Sequence, residues 1–129
     1  MNSPAQDIRI ILEADSSLGL VFGTDLFIGL MPDSPDACAS IADSGGFPAS
    51  PGPYYYPTAQ VLVRGIVGSY AATSAVAADV VAALHEYTGQ PDSSSYFYAG
   101  IWSMYDPIFI GVDEKNRPLF SMNFRIQRR

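Results

Sequence analysis

The sequence predicts an α+β fold, a mixed or antiparallel sheet of about four to six strands with one long and one short helix packed on it. Three observations lead there. Strand-like segments come in groups instead of alternating with helices, residues 69–91 form one long alanine-rich stretch with an apolar stripe, and residues 120–127 alternate strictly between apolar and polar.

The opening stretch SPAQDIRIILEAD predicts the short helix. Ser3 caps it, Pro4 fits the first turn where a missing N–H costs nothing, and Gln6 completes a capping box. Ile8, Ile11 and Leu12 share a face. TDLFIGLMP then reads as a strand ended by Pro32, and ACASIAD as a weaker strand before a tight turn at Gly45-Gly46. GGFPASPGPYYYP, dense in proline and glycine, reads as an extended loop. TAQVLVRGIVG is a strand with Val61, Val63 and Val67 on one face and Gln60, Leu62, Arg64 and Ile66 on the other. The long helix starts at Ser69, carries Val76, Val80, Ala83, Leu84 and Tyr87 as its stripe, and stops at Gly89 and Pro91. YFYAGIWSMYD is a further strand, and PIFIGVD with PLFSMNFRIQ an antiparallel pair turned through EKNR. In the last strand Phe120, Met122, Phe124 and Ile126 form the core face, and Ser121, Asn123, Arg125 and Gln127 the other.

A chain of 129 residues suits one domain, 1–129. Hydrophobic residues at 48% place it among folding chains and away from the composition of disorder. No apolar run approaches the ~20 residues a membrane helix needs, and the N-terminal stretch lacks the basic and apolar regions of a signal peptide. Cys38, the single cysteine, closes no internal disulfide and reads as a buried, reduced hydrophobe. Charge is divided along the chain. Residues 1–114 hold two bases and all thirteen acids, a sum of −11, whereas Lys115, Arg117, Arg125, Arg128 and Arg129 bring the last fifteen residues to +5. The net charge of −6 argues against a protein whose task is gripping nucleic acid.

Few residues suggest chemistry. One His85 and one Cys38, far apart, make no zinc site, and neither a nucleophile elbow nor a phosphate-binding glycine loop is present. His85 reads as a residue of a helix end. Asp113-Glu114 with Asp106 read as turn residues rather than magnesium ligands, and Asp33, Asp36 and Asp43 as a solvated loop. No cofactor, metal or enzymatic activity is expected. Three consecutive tyrosines, Tyr54, Tyr55 and Tyr56, cannot all face one core from an extended backbone, so at least one meets solvent or another chain. Tyr96, Phe97 and Tyr98 pose the same choice. Arg64 is either a half-buried partner of an acid such as Asp113 or an intersubunit contact.

Several stretches together resemble the minor capsid or tail terminator family of long-tailed bacteriophages. They are DLFIGLMPDSPDACASIADSGG with its P-D-x-x-x-x-I-x-D-S-G-G run, YYYPTAQVLVRG, the alanine-rich helix, and DPIFIGVDEKNRPLFSMNFRI with a G-x-D-E-x-x-R-P-x-x-x-x-N-F-R ending, spanning about residues 5 to 127. The PASPGP insertion and Gln127, Arg128 and Arg129 belong to no pattern of the resemblance. It implies a structural virion protein that forms a ring, a hexamer, on the head-proximal end of the tail tube, reached from the host cytoplasm during assembly. It implies that the ring stops tube polymerisation and offers its upper surface to the head connector or stopper. The implied partners are further copies, the tube protein and the connector; DNA passes through the ring without specific binding, and no membrane is involved. The candidate intersubunit or partner interface comprises Arg64, Tyr54, Tyr55, Tyr56, Asp113, Glu114, Arg117, Asn123, Arg125, Arg128 and Arg129, with the basic last strand facing an acidic surface. The alternatives are another head-tail joining protein of the stopper kind, and a small cytosolic α+β domain whose YFYAGIWSMY stretch lines a ligand pocket.

Overall fold

A computed structural model describes residues 1–48 and 51–129, so the part of the expected PASPGP loop at 49–50 lies outside the described residues. The chain order is α1 (Pro4–Ala14), β1 (Leu26–Ile28), β2 (Cys38–Gly46), β3 (Pro57–Arg64), α2 (Tyr70–Leu84), β4 (Tyr87–Gly89), β5 (Tyr98–Ser103), β6 (Ile108–Val112) and β7 (Pro118–Arg128). The strands make one seven-stranded sheet in the order β1-β2-β3-β7-β5-β4, with β6 also on β7. Only β1 and β2 run parallel, so the sheet is mixed. The fold is α+β as expected, with one strand beyond the upper count because the residues after α2 form β4.

Period-two alternation sets the layers. In β7 the side chains of Phe120, Met122, Phe124 and Ile126 are buried beneath the helices with Val61, Val63, Ile41 and Ile101. α1 and α2 cover this one face, α1 over β1 to β3 and α2 over β3, β7 and β5. Burying each such large side chain contributes roughly 1.5–3 kcal/mol. The opposite face, with Gln60, Leu62, Ser121, Asn123, Arg125 and Gln127, carries no helix.

Local signals account for several boundaries. Ser3 Oγ accepts the Gln6 N–H while Gln6 Oε1 accepts the Ser3 N–H at 2.7 Å, the capping box read from the sequence. α2 ends earlier than the expected Gly89. The His85 N–H closes on Val81 O, and Glu86 takes a left-handed φ of 65°, turning the chain so that its N–H reaches Ile101 O and β4 begins. The buried stripe of α2 is Thr73, Ala77, Val80 and Leu84; of the expected stripe Val80 and Leu84 are in the core and Ala83 and Tyr87 pack against it, Tyr87 from β4, whereas Val76 faces outward. β1 is shorter than TDLFIGLMP because Gly29, at φ 71°, leaves the strand conformation after Ile28. Gly45 and Gly46 do not form a tight turn. They extend β2 past an irregularity after Asp43, and a Cβ on Gly46 would lie 2.5 Å from Tyr56 O, so only glycine allows the two backbones to approach.

Candidate functional site

Three of the five C-terminal bases are used inside their own chain. Arg117, 3% exposed, donates from Nε to Asp113 Oδ2 at 2.7 Å and from Nη1 to the Asp33 carbonyl and Asp36 Oδ1, while its Nη2 meets Asp33 Oδ1. Lys115 Nζ pairs with Asp33 on the outside of the same loop. Arg64, 4% exposed, reaches that loop from β3, donating to the carbonyls of Pro32, Pro35 and Asp36. Its partner is thus backbone, and Asp113 belongs to Arg117. Asp33, Asp36, Arg64, Asp113 and Arg117 form one lock that pins residues 32–36 to the end of β3 and β7. The Lys115 hydrogen bond holds the Asp33 carboxyl below its ordinary range. For Asp113, desolvation works in the opposite direction, but the Arg117 N–H and guanidinium and the Lys115 N–H outweigh it and the carboxyl is lowered too.

Arg128 forms a second lock. Its side chain points to the helical side of β7, its guanidinium lies 3.8 Å from the Tyr96 ring centre, and Nη1 donates to the Asn2 carbonyl and the Tyr98 oxygen. Tyr98 Oη donates to Asp7 Oδ2 at 2.6 Å, and Asp7 and Tyr98 are both fully buried. Burial, then the hydrogen bond to Asp7, pushes the Tyr98 phenol far above its ordinary range. Asp7, in the first turn of α1, is the anchor joining that helix to the paired strands β5 and β7. Of the Tyr96, Phe97, Tyr98 trio, Tyr98 belongs to the core and Phe97 is exposed.

The remaining candidates are accessible and fall in two places. Arg125 projects from the open face of β7 with Trp102 beside it, guanidinium carbon 5.5 Å from the indole centre, and Asn123 donates to Tyr105 Oη at 2.7 Å further along that face. Phe47, Tyr56 and Thr58 face Trp102 and Arg125 across a groove of about 290 Å³. Arg129 lies over the rings of Phe97 and Tyr54, and Tyr55 pairs its backbone with Arg128 while its ring is 45% exposed. Among the described residues neither Arg125 nor Arg129 has a carboxylate partner, and the exposed Asp79, Asp92, Asp106 and Glu114 have no basic one. Glu114 sits at the tip of the β6–β7 turn, away from the lock that takes Asp113.

β6 is a surface the sequence conceals. Ile108, Phe109, Ile110 and Val112 are between 42% and 55% exposed, and the strand pairs with β7 along one edge only. Tyr70 at the start of α2 packs its ring 5.0 Å from Phe109, and the neighbouring Ile66 and Val67 are exposed too. An exposed apolar edge strand of this kind invites a partner. His85 is a helix cap whose Nδ1 accepts the Ser103 N–H at 3.0 Å. Cys38 is buried, and desolvation raises its thiol above the ordinary range. No helix of the described residues is long and apolar enough to cross a membrane.

Comparison with known proteins places this arrangement. A chain in the virion structure of a native gene transfer agent particle is similar in fold, with a TM-score of 0.71 at 18% identity over 98% of this chain and 94% of that one. A second solved chain has a TM-score of 0.53 at 13% identity, covering 97% of each. No curated protein sequence matches. The sequence profile described as bacteriophage tail terminator protein matches residues 15–129, from just after α1 through the C-terminal arginines. By that match, over nearly all of its length, the chain belongs to the bacteriophage tail terminator family.

Proposed function

We propose that the protein closes into a ring on the head-proximal end of a phage tail tube, ends tube growth there and presents its other rim to the head connector. The family supports tail termination, and the observation that carries the ring is β6. An edge strand with four exposed large apolar side chains and a free edge is stabilised when a neighbouring copy covers it. Head-to-tail contacts that close on themselves give a ring, with six copies expected from the resemblance.

Charge fits the same reading. Unpaired acids and unpaired arginines on separate parts of one chain favour heterologous contacts and disfavour like-with-like ones. The surfaces toward tube and connector are drawn from the open face and the loops bearing Tyr55, Tyr56 and Arg129, and DNA passes through the ring without base-specific contact.

Light scattering tests the ring: a defined oligomer at micromolar concentration is expected, and Phe109→Lys with Ile110→Lys shifts it toward monomer while leaving the circular dichroism spectrum unchanged. A folded monomer whose size is indifferent to that double substitution contradicts the ring.

A further inference from the structure

We propose that the groove on the open sheet face is a docking site for an acidic side chain and its apolar neighbour, carried on an extended segment of a partner protein. This deepens the assembly reading by naming the chemistry of one docking surface, and it rests on that reading for the partner's biological setting.

The groove runs across three strands. Trp102 on β5, Arg125 on β7 and Thr58 on β3 stand in one row, as the pairings Trp102↔Arg125 and Thr58↔Arg125 require. Trp102 walls one side, Phe47 and Tyr56 the other, and the groove of about 290 Å³ has room for a few side chains, not for a folded face. Arg125 is the single charged residue among those lining it and has no carboxylate among the described residues. A guanidinium held beside an indole keeps its fork of donors for a carboxylate, and aromatic walls that exclude water strengthen that bond.

Gly100 supplies an independent sign that the groove has a fixed shape. A Cβ there would lie 2.2 Å from Trp102 Cζ2, so the indole rests flat on a bare stretch of backbone. Glycine weakens a strand interior, and here its absent side chain is what seats the tryptophan wall next to Arg125.

Charge decides the class of occupant. A molecule of net charge −6 with one unneutralised base in the groove is a poor seat for a nucleic-acid strand, which needs several phosphate contacts. Within this chain the described acids lie on helices, in turns and bends, on paired β2, or in the loop held by Arg117, and none stands within an extended segment free on both edges.

Trp102 is the sole tryptophan, so its fluorescence reports occupancy directly. The full-length protein is titrated with the capped peptide Gly-Phe-Asp-Leu-Gly, its Phe-Asn-Leu counterpart, and an octamer of thymidylate. The acidic peptide is expected to give a saturable change, weakened by salt, with the amide peptide at least about tenfold weaker. Arg125→Gln abolishes the preference for acid, Arg125→Lys restores part of it, and Gly100→Ala, which displaces the indole, weakens both peptides. Equal binding of the two peptides, a preference that survives Arg125→Gln, or binding of the thymidylate octamer in place of the peptide overturns the proposal. So does a Trp102 change on simple dilution of the protein that blocks peptide binding, since a second copy would then fill the groove. None of these readouts depends on tail tubes, so their failure is separate from failure of the capping assay.

Discussion

Four arginines that look alike in the sequence divide into two kinds at residue scale. Arg64, Arg117 and Arg128 are at most 8% exposed and hold their own chain together, whereas Arg125 is exposed. Arg64→Glu would aim a carboxylate at three carbonyls and is expected to lower the unfolding free energy by about 3 kcal/mol or more in urea denaturation. Arg125→Glu should change it by no more than about 0.5 kcal/mol while impairing assembly. His85→Ala loses one hydrogen bond, at a cost of about 1 kcal/mol, and leaves assembly intact. Asp7→Ala strands the Tyr98 hydroxyl and the Arg128 guanidinium and should cost about 3 kcal/mol in the same measurement. The loop lock is pH-sensitive in a determined direction. Asp33 and Asp113 have lowered carboxyl pKa values in the folded chain, so their stabilisation is complete above the unfolded value near 4 and is lost as pH falls through the depressed folded values. The protection factor of the Arg117 amide, which donates to Asp113 Oδ1, should therefore be high at pH 6 and fall as the pH drops below about 4. Unchanged protection there would rule out the lock.

At element scale, what the sequence reveals follows how local the determinant is. The capping box of α1 needs only Ser3 and Gln6, and the face of β7 only its alternation, and both are read without tertiary knowledge. The end of α2 escaped because Glu86 is turned into a left-handed conformation by pairing with β5, which no residue type at that position announces. β6 was placed as the partner of β7 from its turn, yet its exposure was not visible. A short contiguous apolar run looks the same whether the core or another molecule covers it. The destinations of Arg64, Arg117 and Arg128 depend on the 32–36 loop and on α1, from 28 to 121 residues away in sequence. Two substitutions separate core from surface within the sheet. Phe124→Ala, beneath the helices, should destabilise by about 3–5 kcal/mol, whereas Ile110→Lys on β6 should leave the isolated fold nearly as stable and act on association.

For the whole molecule, charge segregation along the sequence resolves into three uses. Lys115 and Arg117 neutralise a loop, Arg128 ties the last strand to the first helix, and Arg125 and Arg129 are left facing outward from a chain with surplus acid. A body fastened in this way keeps its loops and both termini in register with the sheet, which suits a part whose role is to present fixed surfaces. The proposed ring joins those surfaces between copies through β6 and displays the groove around Arg125 to a partner. The most direct test polymerises tail tube protein in the presence and absence of the purified chain and measures tube lengths by electron microscopy. Tubes with one end occupied by a ring, and a length distribution that shortens as the chain is added, are predicted, with the effect lost in the Phe109→Lys, Ile110→Lys double variant. Tubes of unchanged length with bare ends at saturating protein would contradict the account.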